Sequence, residues 1–345
     1  MDTQQFKTSA PSSRTVVVLL ILFAAITGWG HPGRLVVEFI WLQAGEVDFG
    51  GMGYLDPAFD PGSVVGPADR FYDNGYARVD SSGNNGGLTW FWGLDDDQGI
   101  SPQSIDLYVY QSGADKALQM EGDPESPGIG LKYIKPIRIK DDSELQLVVA
   151  ARLAEFKFLD ATVLSGLAQV LIDSYNTDGI VLPQVPYAGG YQGPGPLIDS
   201  DPFRRRVEIS PYSSETSGLR HLSGDLMALR LGLSFERALN EQTFLSLQVG
   251  YEALRIDGTF RFAETTTLSA NGHSGSVSGV RSRSVTDAGA YINGAITRNL
   301  TERLTLEVSL GFSDHDPFSI EEGRHQVTWD LSELMDLGIG LGYRF

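Results

Sequence analysis

The sequence predicts an all-β protein, an antiparallel up-and-down transmembrane β-barrel, and two observations support this fold class. First, the chain ends in a strand with one large apolar face and one small or polar face. The apolar positions are Leu337, Ile339, Leu341, Tyr343 and Phe345. Strands that face lipid on one side and a lumen on the other alternate in this way. Second, the alternation recurs upstream in segments of about 9 to 11 residues, the length that a tilted strand needs to cross a bilayer.

The alternating segments predict eight strands. Five are regular and cover residues 336–345, 302–313, 286–297, 245–253 and 227–236. Three less regular ones cover residues 162–175, 144–158 and 129–138. Eight is an even number, which places both ends of the barrel on one side of the membrane. Ten or twelve strands stay open as alternatives, because the region before residue 129 could add hairpins.

Connection lengths between these strands support a barrel. Short connections are expected at residues 159–161, 239–242 and 298–301, and long ones at residues 176–224, 257–285 and 314–332. Outer-membrane barrels alternate tight periplasmic turns with long outer loops. The short connection at residues 139–143 departs from this alternation.

The N-terminus predicts export. Lys7 and Arg14 precede the apolar residues 15–28, which have the length of a signal-peptide core and are short for a membrane helix. Cleavage after Gly28 or Gly30 is expected, with Ala44 as the alternative. The predicted organisation is a signal peptide at residues 1–30, an N-terminal extension at residues 31–128 and a barrel at residues 129–345. The extension could be an extra hairpin, a lining of the lumen or a plug.

Composition limits the classes of function. The 40 glycines, 13 tyrosines and 17 phenylalanines favour β-structure with many turns, and the absence of cysteine excludes disulfides. The mean hydropathy of −0.11 is expected when each membrane strand is half polar and the loops are long. A net charge of −18 argues against nucleic acid and against anionic lipid as direct partners.

From about residue 129 to Phe345, the strand pattern and the loop alternation resemble the small eight-stranded outer-membrane barrels of the OmpA and opacity-protein type. Residues 70–97, RFYDNGYARVDSSGNNGGLTWFWGLDDD, resemble a tract of uncharacterised outer-membrane proteins. The resemblance implies a fold and a location in the bacterial outer membrane of a Gram-negative cell. It also implies that the barrel-assembly machinery recognises the terminal strand. It supplies no catalytic residue.

We expect no catalytic activity, although three segments deserve testing as catalytic sites. The histidine-bearing segments are His221 with Ser223, His273 with Ser274, and Asp314 with His315 and Asp316. The first spacing resembles that of barrel lipid A deacylases, but Gly224 stands where an asparagine is expected. A nucleophile also needs a base that a third group orients. An enzyme acting on outer-membrane lipid therefore stays the least favoured function.

We also expect no metal ion and no cofactor. Asp80, Ser82 and Asn84 followed by Gly86 are spaced like part of a calcium loop, but position twelve would be Phe91. A glycine-asparagine turn is the favoured interpretation. Residues 95–97, three aspartates, are expected to form a solvated turn.

The predicted function is structural anchoring or surface binding through long acidic outer loops. A narrow porin-like channel for small solutes is the alternative. Arg230 and Glu252 are expected to form an ion pair inside the lumen, because they lie on the polar faces of two strands joined by a short turn. Arg204, Arg205 and Arg206 could contact lipopolysaccharide phosphates or could pack on nearby acidic residues. Outer-membrane lipid and lipopolysaccharide are thus the expected partners of the barrel.

Overall fold

The computed structural model describes residues 33–43, 45–63, 68–79, 86–112, 116–120, 126–140, 143–177, 179–189 and 195–345. No helix in this part of the chain is long and apolar enough to cross a membrane. The strands there are β1 (Arg34–Gln43), β2 (Val47–Met52), β3 (Arg70–Tyr72), β4 (Gly75–Ala77), β5 (Leu88–Thr89), β6 (Trp92–Leu94), β7 (Ser104–Gln111), β8 (Lys116–Met120), β9 (Ser126–Lys140), β10 (Ser143–Asp160), β11 (Leu164–Asn176), β12 (Tyr187–Ala188), β13 (Ile198–Asp199), β14 (Arg204–Ala238), β15 (Thr243–Leu268), β16 (Ser274–Asn299), β17 (Leu304–Ser313), β18 (Phe318–Glu322), β19 (His325–Trp329) and β20 (Leu334–Arg344).

Eight of these strands form a closed antiparallel barrel, as the sequence predicts. The ring runs β1, β9, β10, β14, β15, β16, β17 and β20, and β20 pairs again with β1. Closure matters because each strand then has a partner on both sides at the level of the membrane. Backbone groups in a bilayer have no water to bond, so only such closed sheets can span it as strands.

The membership of the ring differs from the prediction at two strands. The segment predicted at residues 162–175 forms β11, which pairs with the upper part of β14 and with β7, outside the ring. Its place is taken by β1, which lies in the predicted N-terminal extension. The inner face of β1 carries the apolar Val36, Ile40 and Leu42, so its alternation is weak in the sequence. Cleavage after residue 44 would remove this ring strand.

The connections between the ring strands divide into short ones at one end of the barrel and long ones at the other. The connections at residues 239–242 and 300–303 lie at one end of the barrel, as do the end of β9 at Lys140 and the start of β10 at Ser143, and there the Phe345 amide also donates to the Gly33 carbonyl, 3.2 Å away. The short connection that breaks the predicted alternation thus joins β9 to β10 at this lower end. The long connections all leave the opposite end, which we call the upper end.

The upper end is built of strand rather than of loops. β14, β15 and β16 have 35, 26 and 26 residues, far more than a bilayer requires. The long loop predicted at residues 257–285 is therefore wrong, because those residues are the upper halves of β15 and β16 and their turn. The faces exchange character along β15. Outward residues are apolar up to Ala253, and inward residues are apolar from Leu254 to Phe262, with Gly258 among them.

A second sheet fills the upper barrel. It has the order β18, β19, β2 and β8, and it packs inside β14, β15 and β16. Phe156 lies 4.6 Å from Trp329 between ring centroids, and Phe49 lies 5.9 Å from Phe260. Gly258 permits this packing, since a Cβ there would lie 2.6 Å from the Phe318 ring. Part of the predicted extension, β2 with its partner β8, thus belongs to the sheet that lies inside the barrel.

The rest of the described extension forms an outer layer beside the barrel. The small sheet of β3, β4, β6 and β12 packs on β7 and β11 around the buried Trp92 and Tyr175. Asp173 joins the layers, accepting from the Tyr72 hydroxyl at 2.5 Å and from Arg205 Nη2 at 2.6 Å. These strands add no hairpin to the ring, because β7 pairs with residues 169–176 of β11, and β11 itself lies outside the ring.

Candidate functional site

The lumen at the level of the membrane is filled by a connected network of charged side chains. Its cations and carboxylates come from seven of the eight ring strands and are almost fully buried. They are Arg34, Lys132, Arg152 and Arg230 with Glu38, Glu236, Glu252, Glu307 and Asp336. Isolated charges would be too costly in such a place, so each must have a partner. We call this set the lumen network.

At its lower end the network starts beside the first residues of β1 and the last residues of β20. Arg34 Nη2 lies 3.0 Å from Glu236 Oε2 and 3.5 Å from Glu307 Oε2. Lys132 Nζ contacts both Glu307 and Glu38. Four strands are thereby tied together across the barrel interior.

At its upper end the network centres on Asp336. Arg152 Nη1 lies 2.6 Å from Asp336 Oδ1, and Arg230 Nη2 lies 2.7 Å from Asp336 Oδ2. Arg230 also contacts Glu252, its neighbour in the register of β14 and β15. The structure thus places the expected pair side by side. Sequence reasoning missed Asp336 as the carboxylate that joins two arginines, because it lies in a strand far away in the chain.

A histidine and an apolar core close the lumen above the network. His315 Nε2 lies 2.9 Å from Glu252 Oε1, and His315 Nδ1 lies 3.1 Å from Asp287 Oδ2. The sequence places this histidine in a turn, and nothing in the local pattern shows that it points into the barrel. Directly above it lies the core around Trp329 and Phe260. The interior thus carries paired charge at the level of the membrane and apolar packing above it.

A buried ion cluster lies higher, inside the upper barrel. Arg220 Nη1 is 2.6 Å from Asp160 Oδ2, Arg220 Nε is 2.5 Å from Glu264 Oε1, and His325 Nε2 is 3.2 Å from Glu264 Oε2. Burial would raise the pKa of Glu264, but hydrogen bonds from His325 and Arg220 outweigh burial and hold that pKa below its ordinary value. The cluster fixes the upper wall to the inner hairpin of β18 and β19.

The outer wall carries a lipid-facing band bounded by charge. Leu229, Leu247 and Leu341 are exposed, whereas Ser234 and Gln248 are buried on the inner face. Leu306 is partly exposed on the outer face, and Ser309 and Gly340 face inward. The terminal residues expected to serve as the assembly signal belong to this band, with Leu337, Ile339, Leu341, Tyr343 and Phe345 all exposed. Above the band, Glu155 pairs in register with Asp225, and Asp225 with Asp257.

An open groove of about 1070 Å³ lies on the outer wall at the top of this band. Its floor includes Tyr251, Ala290, Ile292 and Phe312, which belong to the outer faces of β15, β16 and β17. The groove forms where β17 ends while β16 continues upward. Its lining also includes the polar Asp314, Ser332 and Glu333.

The arginine run at residues 204–206 is divided between two environments. Arg205 pairs with Asp173, and Arg206 Nη2 lies 2.7 Å from Asp106 Oδ2 while its Nε lies 2.7 Å from Glu208 Oε1. Arg204 is exposed. Arg205 and Arg206 thus pack on nearby acidic residues, and a contact of the run with lipopolysaccharide stays a prediction.

The candidate catalytic residues do not come together. His221 and Ser223 lie on the outer wall, and the buried His221 Nε2 has no hydrogen-bond partner within the described residues. His273 contacts the Asp56 carbonyl in the upper turn region. Within the residues that the structure describes, no group of three or more His, Asp or Glu side chains could hold a metal ion. The possible calcium loop lies largely outside them, at residues 80–85.

No family model matches the chain, and no curated protein matches its sequence. Among solved structures, the chain is similar to the attachment invasion locus protein Ail of Yersinia pestis, with 10% identity and a TM-score of 0.29 over 91% of this chain and 99% of that one. It is also similar to the outer membrane protease OmpT from Escherichia coli, with 8% identity and a TM-score of 0.30 over 90% and 97% of the two chains. The monoaromatic hydrocarbon channel CymD matches at 8% identity and a TM-score of 0.19, over 95% and 92%. The names of these proteins give three different roles, attachment and invasion, proteolysis and a channel, and the likeness assigns none of them here.

Proposed function

We propose that this protein is a closed outer-membrane anchor that holds a rigid β-domain at the cell surface for binding, and that it does not conduct. The lumen network is the observation that carries the proposal. Its ion pairs run from Arg34 with Glu236 at the lower end to Arg230 with Glu252 at the upper end. An eight-stranded barrel has an interior just wide enough to be filled by side chains. Here that interior is filled by paired charge.

A channel would require this network to open. Breaking a buried pair by removing one partner costs about 3 to 5 kcal/mol, because the remaining charge is left unpaired. A path through the membrane section alone would have to part several such pairs, including Arg152 with Asp336 and Lys132 with Glu38. It would then meet the core of the upper barrel. The narrow channel is therefore the weaker alternative.

A binding role fits the shape of the upper part better than a catalytic role does. The strands β14, β15 and β16 lift their polar outer faces well beyond the lipid band. The layer of β3, β4, β6 and β12 packs on β7 and β11, and β11 pairs with β14. Rigid strands present a surface at little entropic cost on binding. Among the described residues, no candidate histidine has both a serine nucleophile and an orienting carboxylate within hydrogen-bond distance.

Planar-bilayer conductance of the refolded barrel tests the proposal. We expect no current steps above those of empty bilayers at neutral pH. The same measurement is made on a variant in which a short glycine-serine link replaces residues 316–330, the inner hairpin. Heat-modifiable mobility checks that this variant folds. This variant should also stay closed, because the lumen network blocks the section below. Stable conductance of the wild type would overturn the proposal, and conductance of the variant alone would assign closure to the upper core.

A further inference from the structure

A buried histidine lies where the sheet of β18, β19, β2 and β8, which we call the inner sheet, joins the membrane barrel. His315 belongs to the connection between β17 of the ring and β18, and its side chain is fully buried. Its Nε2 lies 2.9 Å from Glu252 Oε1 of β15, and its Nδ1 lies 3.1 Å from Asp287 Oδ2 of β16. The His315 amide donates to the Leu331 carbonyl, 3.2 Å away, on the connection from β19 back to β20. His315 thus contacts both the ring and the chain that returns from the inner sheet.

The two carboxylates fit a proton on each ring nitrogen of His315. A neutral imidazole has one N–H donor and one acceptor, and only the imidazolium donates from both nitrogens. Glu252 also accepts a hydrogen bond from Arg230 Nε. Asp287 also accepts one from the Asp316 amide, 3.1 Å away. A neutral His315 would turn a lone pair toward one of these two acceptors, so the geometry fits a charged imidazole.

The charge of the lumen network agrees with this protonation. Among the described residues, the network contains five carboxylates but only four cations that are almost fully buried. His315 contacts Glu252, the uppermost carboxylate, and supplies the missing positive charge. A buried charge is costly unless it is paired. The side chain of Asp287 is 26% exposed, so a proton can pass between His315 and solvent without opening of the barrel.

The groups around His315 leave the histidine as the one expected to titrate near neutral pH. Beyond Glu252 lie Arg230 of β14, Arg152 of β10, Asp336 of β20 and Tyr291 of β16. On the two connections, the exposed acids are Asp314, Asp316, Asp330 and Glu333. The ordinary pKa values of these side-chain types lie below about 5 or above about 9. Burial alone would lower the pKa of His315, but its hydrogen bonds to Glu252 and Asp287 outweigh burial and raise that pKa.

We propose that the proton on His315 holds the inner sheet on the membrane barrel, and that its loss at alkaline pH releases the sheet. When one ring nitrogen loses its proton to solvent, one of the two carboxylates loses its donor, and the lumen network lacks a positive charge. Because folding raises the pKa of His315, the stabilisation is complete below about pH 6.5, the ordinary pKa of histidine, and is lost as the pH rises through the folded-state pKa. The order of the inner sheet thus depends on the pH outside the cell.

Hydrogen exchange of the refolded full chain, followed by mass spectrometry, tests the proposal. The amides of β18 and β19 are compared with those of residues 245–253 of β15, after correction for the intrinsic exchange rate at each pH. We expect the protection of β18 and β19 to fall at least about tenfold between about pH 6 and about pH 9, since a charge-assisted hydrogen bond is lost. Residues 245–253 should keep their protection.

Variants separate His315 from the other groups. His315→Gln is neutral throughout, so at about pH 6 it should show the low protection that the wild type shows at about pH 9. His315→Lys keeps a positive charge and should keep its protection over this range. It also leaves His325 in place, so a transition caused by that histidine would remain. The control His273→Gln changes a histidine that contacts the Asp56 carbonyl, and it should follow the wild type.

An NMR titration of the His315 ring gives a readout that does not need the lysine variant to fold. We expect a midpoint above the ordinary value of about 6.5 and close to the midpoint of the exchange transition. A midpoint below that value, or protection of β18 and β19 that does not change with pH, would overturn the proposal. The wild-type pH dependence in His315→Lys would overturn the assignment to His315. None of these results depends on whether the barrel conducts.

Discussion

The lower and upper halves of the same strands place their apolar side chains on opposite faces of the sheet. Along β15, residues 245–253 place apolar side chains outward and polar ones inward, and residues 254–262 place apolar side chains inward. The exchange occurs on β14 between Arg230 and Ala228, at the same level of the wall. Lipid therefore surrounds the lower half, and water surrounds the upper half. One continuous sheet serves as a membrane barrel below and as a layer of a packed sandwich above.

The difference explains how the two halves are stabilised. The lower half is held inside by paired charges such as Arg152 with Asp336, and its outer face needs only lipid. The upper half is held by an apolar core around Trp329, with one ion cluster at Arg220. The lower half thus has an apolar outer face and a polar interior. The upper half has a polar outer face and an apolar interior.

The largest expected effect is on assembly, which we expect to depend on the outer face of the lower half and not on that of the upper half. Replacing Tyr343 and Phe345 by Asp should abolish outer-membrane insertion, because these residues end the lipid-facing strand, while export continues. The matched control places Asp at Val277 and Val280, which are exposed on the upper part of β16. Fractionation and heat-modifiable mobility measure the outcome. Normal insertion of the Tyr343 and Phe345 variant would contradict this division of roles.

The next effect tests the charged interior of the lower half. Arg230→Met should destabilise the barrel by about 3 to 5 kcal/mol, because Glu252 and Asp336 lose a buried partner. A double-mutant cycle with Glu252→Gln in urea unfolding should give a coupling above about 1 kcal/mol. Zero coupling would mean that water reaches the pair and that the lumen is wide.

A smaller effect compares the outer faces of one strand. Leu247→Arg should cost about 2 to 4 kcal/mol of unfolding free energy, because the residue faces lipid. Thr259→Arg, twelve positions along the same face of β15, should change it by less than about 0.5 kcal/mol, because that position faces water. Urea unfolding in lipid vesicles measures both variants. Equal costs would show that the band extends over the whole wall.

The sequence predicted the class of fold and the lower half well, because its signals are local. The period of two predicts each lipid-facing strand, and the short turn at residues 239–242 fixes the register that joins Arg230 to Glu252. Two features of the structure were not predicted from these local signals. β1 has an inner face that is largely apolar, so it resembles a continuation of the apolar N-terminus. In the upper halves of β15 and β16 the apolar side chains no longer face outward. A prediction based on strands with an apolar outer face therefore recognises only the part of each strand that crosses the bilayer.

The contacts between side chains on distant strands of the ring could not be predicted from the local sequence pattern. Asp336 and His315 contact residues of β14 and β15 that lie far away in the sequence, and only closure of the barrel brings them together. The arginine run at residues 204–206 likewise finds Asp173 and Asp106 on strands that sequence reasoning placed elsewhere. Partners of this kind depend on strand order, which alternation does not encode.

Site-directed spin labelling along β15 tests the central claim most directly, and the absence of cysteine from the chain makes single labelling sites simple to introduce. In lipid vesicles, odd positions from 245 to 253 should be accessible to oxygen, and odd positions from 255 to 265 should be accessible to a water-soluble nickel reagent. Even positions from 246 to 262 should be protected from both. Access of the nickel reagent to positions 246, 248 and 252 would contradict the account, because it would show an open, water-filled lumen.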